Sequence, residues 1–290
     1  LLQTKKNFYL YLFMLFSPPM LLMLERGNMD CIIFFLLFFS FHSKSYLSGF
    51  LLGLATSLKV YPIFILPFYF FFKKLNKKFF IGFIITLPLI LWTFFQLNIL
   101  IGQTPISFST SFGIYSFALL IIKAIKEIFS IIIEKNYIFY FYLISIFIFF
   151  ALSLIFNFLF KKDINKILKV LQNNKQNLML FILSSTTTIL IFFAFSNWAY
   201  RIIFLLPAAL IYLNNLNNLF NYPKKFFYLL LIIAPFFFPW IISTTDESLI
   251  LLNFHAWAFY SIVVFLSLIF YFVISINYYF KKIKFLKINF

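Results

Sequence analysis

Residues 137–160 read YIFYFYLISIFIFFALSLIFNFLF, and Lys161-Lys162-Asp163 follows at once. This run carries no charge and, at about 1.5 Å of helical rise per residue, is long enough to cross the ~30 Å of bilayer hydrocarbon. The lysines behind it mark where the apolar run meets water. The rest of the chain repeats the pattern: of 290 residues, 64% are hydrophobic, 50 are Phe and only 11% are charged. A soluble domain is about a quarter charged, so that class is excluded. The aromatic and branched content excludes a disordered chain as well. The reading is all-α: a polytopic transmembrane bundle of eight to ten spans, forming one membrane-embedded domain over residues 1–290.

Five other runs approach full length: Phe8–Leu24, Phe79–Ile101, Leu178–Phe195, Phe226–Ser243 and Ala256–Phe280. Four are shorter: Cys31–Phe41, Tyr46–Leu58, Tyr61–Phe72 and Ile202–Leu213. These reach only ~16–20 Å, so their polar ends must sit below the membrane surface, in protein or a wet cavity. Within Ile114–Asn136, Ser116, Lys123, Glu127, Ser130 and Glu134 share one helical face. That pattern predicts an amphipathic helix lying flat on the outer surface or packed against the bundle rim.

The formal charge of +17, from 24 Lys+Arg against 7 Asp+Glu, would suit a nucleic-acid binder. Its distribution argues for membrane topology instead. Lys5-Lys6, Lys44, Lys73–Lys78, the Lys161–Lys175 loop, Lys224-Lys225 and the Lys281–Lys287 tail all face one side if ten segments cross. By the positive-inside rule that side, with both chain ends, is the cytoplasm of a bacterial plasma membrane. An eight-crossing variant, with Cys31–Phe41 re-entrant and Tyr46–Phe72 one broken helix, differs only around Lys44. The ten-span arrangement leaves the outer face electroneutral, with Arg26, Lys59, Lys123, Lys126, Lys135 and Arg201 against Glu25, Asp30, Glu127, Glu134, Asp246 and Glu247.

Five polar stations fall on that outer face: Glu25–Asp30, Lys59–Tyr61, Gly102–Gly113, Ser196–Arg201 and Thr244–His255. Charged groups at membrane depth cost a few kcal/mol each unless paired, which points to function. Lys59 is the only cation in its apolar run, and Pro62 behind it predicts a bend there. Arg26 and Arg201 are the only arginines. Their planar fork grips phosphate bidentately. Together Arg26, Lys59 and Arg201 would suit a lipid phosphate, with Asn28, Tyr61, Asn197 and Tyr200 as supporting polar groups. The alternatives stay open: an Arg26–Asp30 or Arg26–Glu25 pair with a helix cap, Lys59 snorkelling to the surface, or an ordinary Arg201–carboxylate pair. Cys31 is the single cysteine, which forbids an internal disulfide, and His42 and His255 supply no metal-ligand spacing. No cofactor or metal site is identified; metal-dependent and metal-free mechanisms both stay open.

Glu25-Arg26-Gly27-Asn28-Met29-Asp30, Gly53-Leu54-Ala55 leading to Leu58-Lys59-Val60-Tyr61-Pro62, and Asn197 with Tyr200-Arg201 carry a resemblance. Over roughly Ser17–Tyr212 the chain resembles the polyprenol-phosphate-mannose-dependent mannosyltransferase-like proteins, glycosyltransferase family 87 of the C-type membrane fold. The resemblance implies transfer of mannose or another hexose from a polyprenyl-phosphate donor to a lipid or glycan acceptor hydroxyl on the non-cytoplasmic face. It implies cations on the leaving phosphate and a carboxylate base opposite the sugar. That base normally lies in the first outer loop, and a chain opening on Leu1 reads as beginning past that span and loop. Glu25 and Asp30 are then the remaining candidates for the base. A lipid or polysaccharide flippase is the competing reading, since broken helices and buried cations also build substrate paths.

Overall fold

The computed structural model describes residues 12, 14–17, 20–21, 29–66, 69, 76–96, 111–112, 114–129, 137–193, 197–237 and 250–288. The chain falls into two compact units: Met20–Ile106, and Leu1–Pro19 with Ser107–Phe290. Apart from one two-residue strand pair, the described secondary structure is helical.

The smaller unit opens with α1 (Met29–His42) and α2 (Ser45–Leu58), two 14-residue apolar helices separated by Ser43 and Lys44. A connection that short forces the helices back along one another. Buried serines lock the hairpin: Ser40 Oγ donates to the Ser48 carbonyl at 2.7 Å, and Ser48 Oγ donates to the Ser40 carbonyl at 2.8 Å. The Tyr69 hydroxyl joins Ser40 Oγ at 2.6 Å. Ser40→Ala is expected to lower the unfolding free energy by about 1–3 kcal/mol, because a buried hydroxyl and a carbonyl each lose a partner. Denaturant titration in micelles should show a smaller loss for Ser43→Ala, in the two-residue turn that follows this helix and only part-buried.

A 3-10 turn (Tyr61–Ile65) follows, and then α3 (Lys77–Ile85) and α4 (Leu87–Phe95). Asn76 caps α3, accepting the Phe79 N–H at 3.1 Å while its Nδ2 donates to Ser45 Oγ at 3.0 Å. Helices α2 and α3 therefore start at one end and run parallel. Lys44 and Lys77 thus lie at the same end of this helix pair. The Phe79–Ile101 run is not straight: α3 and α4 meet at 47° at Thr86. Pro88 removes an N–H and crowds the carbonyl four residues earlier, which breaks the ladder there.

Glycines set how closely α2 and α3 approach. A Cβ on Gly49 would stand 2.0 Å from the Phe79 carbonyl oxygen, and one on Gly82 would stand 2.1 Å from that of Tyr46. Gly49 and Gly53 form a small-xxx-small stripe, the pattern that lets apolar helices touch backbone to backbone.

The larger unit holds β1 (Ser111–Phe112), α5 (Ile114–Phe129), α6 (Ile138–Leu159), α7 (Lys161–Gln172), α8 (Lys175–Phe193) and β2 (Asn197–Trp198). A 3-10 helix (Ala199–Leu205), α9 (Leu206–Leu219), α10 (Lys224–Phe237) and α11 (Ile250–Ile288) complete it. Its core is aromatic. Phe149 on α6 is fully buried, with the rings of Phe193 and Phe192 of α8 and Phe265 and Phe272 of α11 at 5.0–6.0 Å. Phe117 stacks on Phe265 at 4.2 Å, and Ile114 and Ala118 are buried. Thus α5 is packed against the bundle, with Lys123 and Lys126 on its exposed face. Ser130 and Glu134 lie outside the described residues.

Among the described residues three helices are long and apolar enough to cross a membrane: Ile138–Leu159, Lys175–Phe193 and Phe259–Lys281 within α11. The bent α3–α4 pair makes a fourth if it is one span. The outward face of α6 is apolar throughout, with Phe147, Leu154 and Phe158 exposed, as lipid contact demands. One expectation fails: Lys161–Lys175 is not a loop but the helix α7. Ile164, Ile167, Leu168 and Leu171 recur at three- and four-residue spacing and are all buried, a stripe that drives helix formation against the bundle.

Candidate functional site

Asp30 is the second residue of α1, where the helix dipole favours a carboxylate. The antiparallel hairpin brings the last turn of α2 back beside it. Lys59 leaves α2 in an extended conformation (φ −150°, ψ 143°) while its N–H still bonds the Ala55 carbonyl. Val60 returns to helical angles, and Pro62 occupies the first turn of the 3-10 segment, where a missing N–H costs nothing. The break thus falls at Lys59, two residues earlier than Pro62 alone would place it.

This break delivers two side chains to one carboxylate. Lys59 Nζ lies 2.8 Å from Asp30 Oδ2, and the Tyr61 hydroxyl donates to Oδ1 at 2.8 Å. Asp30 is completely buried, whereas the Lys59 side chain keeps 27% of its surface exposed. The carboxylate is buried and held at both oxygens, and the ammonium is anchored to one of them. Such a group is a fixed, oriented cation. Lys59 is thus anchored to a buried carboxylate, and among the described residues it is an ion-pair partner of Asp30.

Arg201 belongs to the larger unit, half-buried in the 3-10 helix Ala199–Leu205. Just before it, Asn197 and Trp198 pair antiparallel with Phe112 and Ser111. Ser111-Phe112 and Asn197-Trp198, drawn from two of the polar stations, are thereby joined, as Asp30 is to Lys59 and Tyr61 in the smaller unit. Tyr200 and Asn197 are placed by their backbone in these segments. Glu25, Arg26 and Asn28 lie outside the described residues, as do Gln103, Asp246 and Glu247.

The sequence reading missed that Asp30 and Lys59 are a pair, although a signal existed. One acid opens a 14-residue apolar helix, and one cation closes the next helix of equal length after a two-residue turn. That spacing makes them neighbours. Among the described residues no three His, Cys, Asp or Glu side chains gather as a metal site.

A second Asp–Lys–Tyr cluster lies in the larger unit. Asp163 accepts from Lys224 Nζ at 3.1 Å and from the Tyr228 hydroxyl at 2.9 Å. There Lys224 is 64% exposed, so the pair is worth at most about 1 kcal/mol, unlike the buried cluster at Asp30.

No curated protein and no solved structure matches this chain. Residues 3–109, the segment that carries Asp30, Lys59 and Tyr61, match the family model of glycosyltransferase family 87.

Proposed function

We propose that the protein transfers a sugar, mannose or another hexose, from a polyprenyl-phosphate donor to an acceptor hydroxyl on the non-cytoplasmic face of the membrane. The observation that carries this reading is the anchored Lys59 ammonium inside the segment that matches the glycosyltransferase family. In the reaction the acceptor oxygen bonds the anomeric carbon and gives its proton to a carboxylate. The bond from that carbon to the phosphate oxygen breaks, leaving a lipid monophosphate with added negative charge. Cations fixed where that charge develops lower the barrier, and this is the role of Lys59.

Asp30 acts here as a positioning residue. With one oxygen on Lys59 and the other on Tyr61, it orients the ammonium. The general base is then another carboxylate, with Glu25 the remaining candidate in this chain.

The test uses the complete gene product in membranes. It should consume a polyprenyl-phosphate-linked hexose and ignore the nucleotide-linked form of the same sugar. Lys59→Ala, at equal protein level, should slow turnover about 10²–10³-fold, the usual effect of losing one transition-state donor. Turnover unchanged by Lys59→Ala would remove the lysine from the phosphate site.

A further inference from the structure

We propose that the lysine face of α7 is a docking surface for the phosphate headgroups of anionic phospholipids in the cytoplasmic leaflet. The level of α7 in the bilayer follows from its neighbours. Helix α6 has 22 residues, about 33 Å, so its end at Leu159 reaches the edge of the hydrocarbon. Only Phe160 separates it from α7, and only Asn173 and Asn174 separate α7 from α8, which returns across the membrane. The third spanning segment ends at Lys281, whose Nζ donates to Asn165 Oδ1 of α7 at 2.8 Å. Three spans therefore hold this 12-residue helix in the headgroup layer.

Its two faces are already divided. Ile164, Ile167, Leu168 and Leu171 are buried in the protein, so α7 does not spend its apolar stripe on lipid. Lys161, Lys162, Lys166 and Lys169 are exposed, with Lys175 at the start of α8 and Lys224 at the start of α10. From Tyr137 to Phe237 the only carboxylate is Asp163, and Lys224 and Tyr228 already occupy it. Among the described residues no other carboxylate is paired with these lysines, and an anionic headgroup complements their charge. Beside the first turn of α7 lies a recess of about 310 Å³ lined by Phe160, Asp163, Pro223, Lys224, Phe227 and Tyr228. Aromatic walls with an ammonium at the rim suit an amphiphile better than a soluble anion. The surface follows from the membrane topology and is independent of the sugar-transfer reading.

The full chain in phosphatidylcholine nanodiscs, titrated with phosphatidylglycerol and read by native mass spectrometry and thermal midpoint, tests this. Each lysine near a charged membrane contributes about a fivefold preference. K161Q/K162Q/K169Q should therefore lower phosphatidylglycerol retention on the order of 100-fold while leaving phosphatidylcholine retention unchanged. Lys166 is kept because its ammonium sits over the Phe220 ring at 5.4 Å. If the triple variant does not fold, salt titration of the wild type decides, since headgroup binding must weaken as salt rises. Equal retention of the two lipids, salt-insensitive retention, or equal stabilisation by inorganic phosphate would overturn the proposal.

Discussion

Lys59→Met is expected to destabilise the protein by about 3–5 kcal/mol, the range for removing one member of a buried ion pair. The size comes from the partner left behind. Asp30 is completely buried, so its carboxylate would lose the ammonium at 2.8 Å with no route to water. The α1 dipole and the Tyr61 hydroxyl offset part of that loss. Asp30→Asn should cost less, because Lys59 keeps an exposed side from which it can be solvated. The double variant Asp30→Asn/Lys59→Met should recover most of the stability, since replacing both charges is far cheaper than orphaning one. Denaturant titrations of the three variants in micelles check the order. Equal losses for the two single variants, without recovery in the double, would mean the pair is not the buried unit described.

This cycle also separates structure from chemistry. The double variant should regain stability but not sugar transfer, because no cation remains at the position of Lys59. If activity returned with stability, Lys59 would be a structural residue alone.

The α2–α3 crossing should give the second large effect. Gly49→Ala puts a methyl group 2.0 Å from the Phe79 carbonyl oxygen and 3.1 Å from the Phe83 nitrogen. Both obstacles are backbone, so a whole helix must move. Overpacking costs about 1–3 kcal/mol and occasionally more. The roughly 1 kcal/mol gained in helix propensity does not cover it. Gly53→Ala meets a different obstacle, the Thr86 side chain, whose Oγ1 would stand 1.9 Å away. Thr86→Ala should therefore relieve Gly53→Ala in large part and leave Gly49→Ala untouched. Unfolding measurements on the three single and two double variants test this. Rescue of Gly49→Ala by Thr86→Ala would show that the helices are not held by backbone contact at Gly49.

Much of this was written along the chain, and the reasons are local. Tyr137–Phe160 spans because nothing in it can be left in water and its length matches the hydrocarbon; α6 occupies 138–159 of that run. Pro88 already encodes the bend that divides Phe79–Ile101, yet apolar count alone reads through it. The lysines of 161–175 concealed a helix in a different way. Read as a topology signal, they drew attention from the Ile164, Ile167, Leu168 and Leu171 stripe that folds the segment.

The sequence by itself determined the class of this protein, its apolar spans, and the five stations where polar chemistry interrupts them. Those properties follow from hydropathy and period, which neighbouring residues carry between them. Only the tertiary structure decided which charges meet. Asp30 and Lys59 are 29 residues apart, and their ion pair exists because a two-residue turn and a reciprocal serine bond fold α1 onto α2. Ion pairing depends on distance in space, and in a membrane interior that distance separates an oriented cation from a charge the chain could not keep.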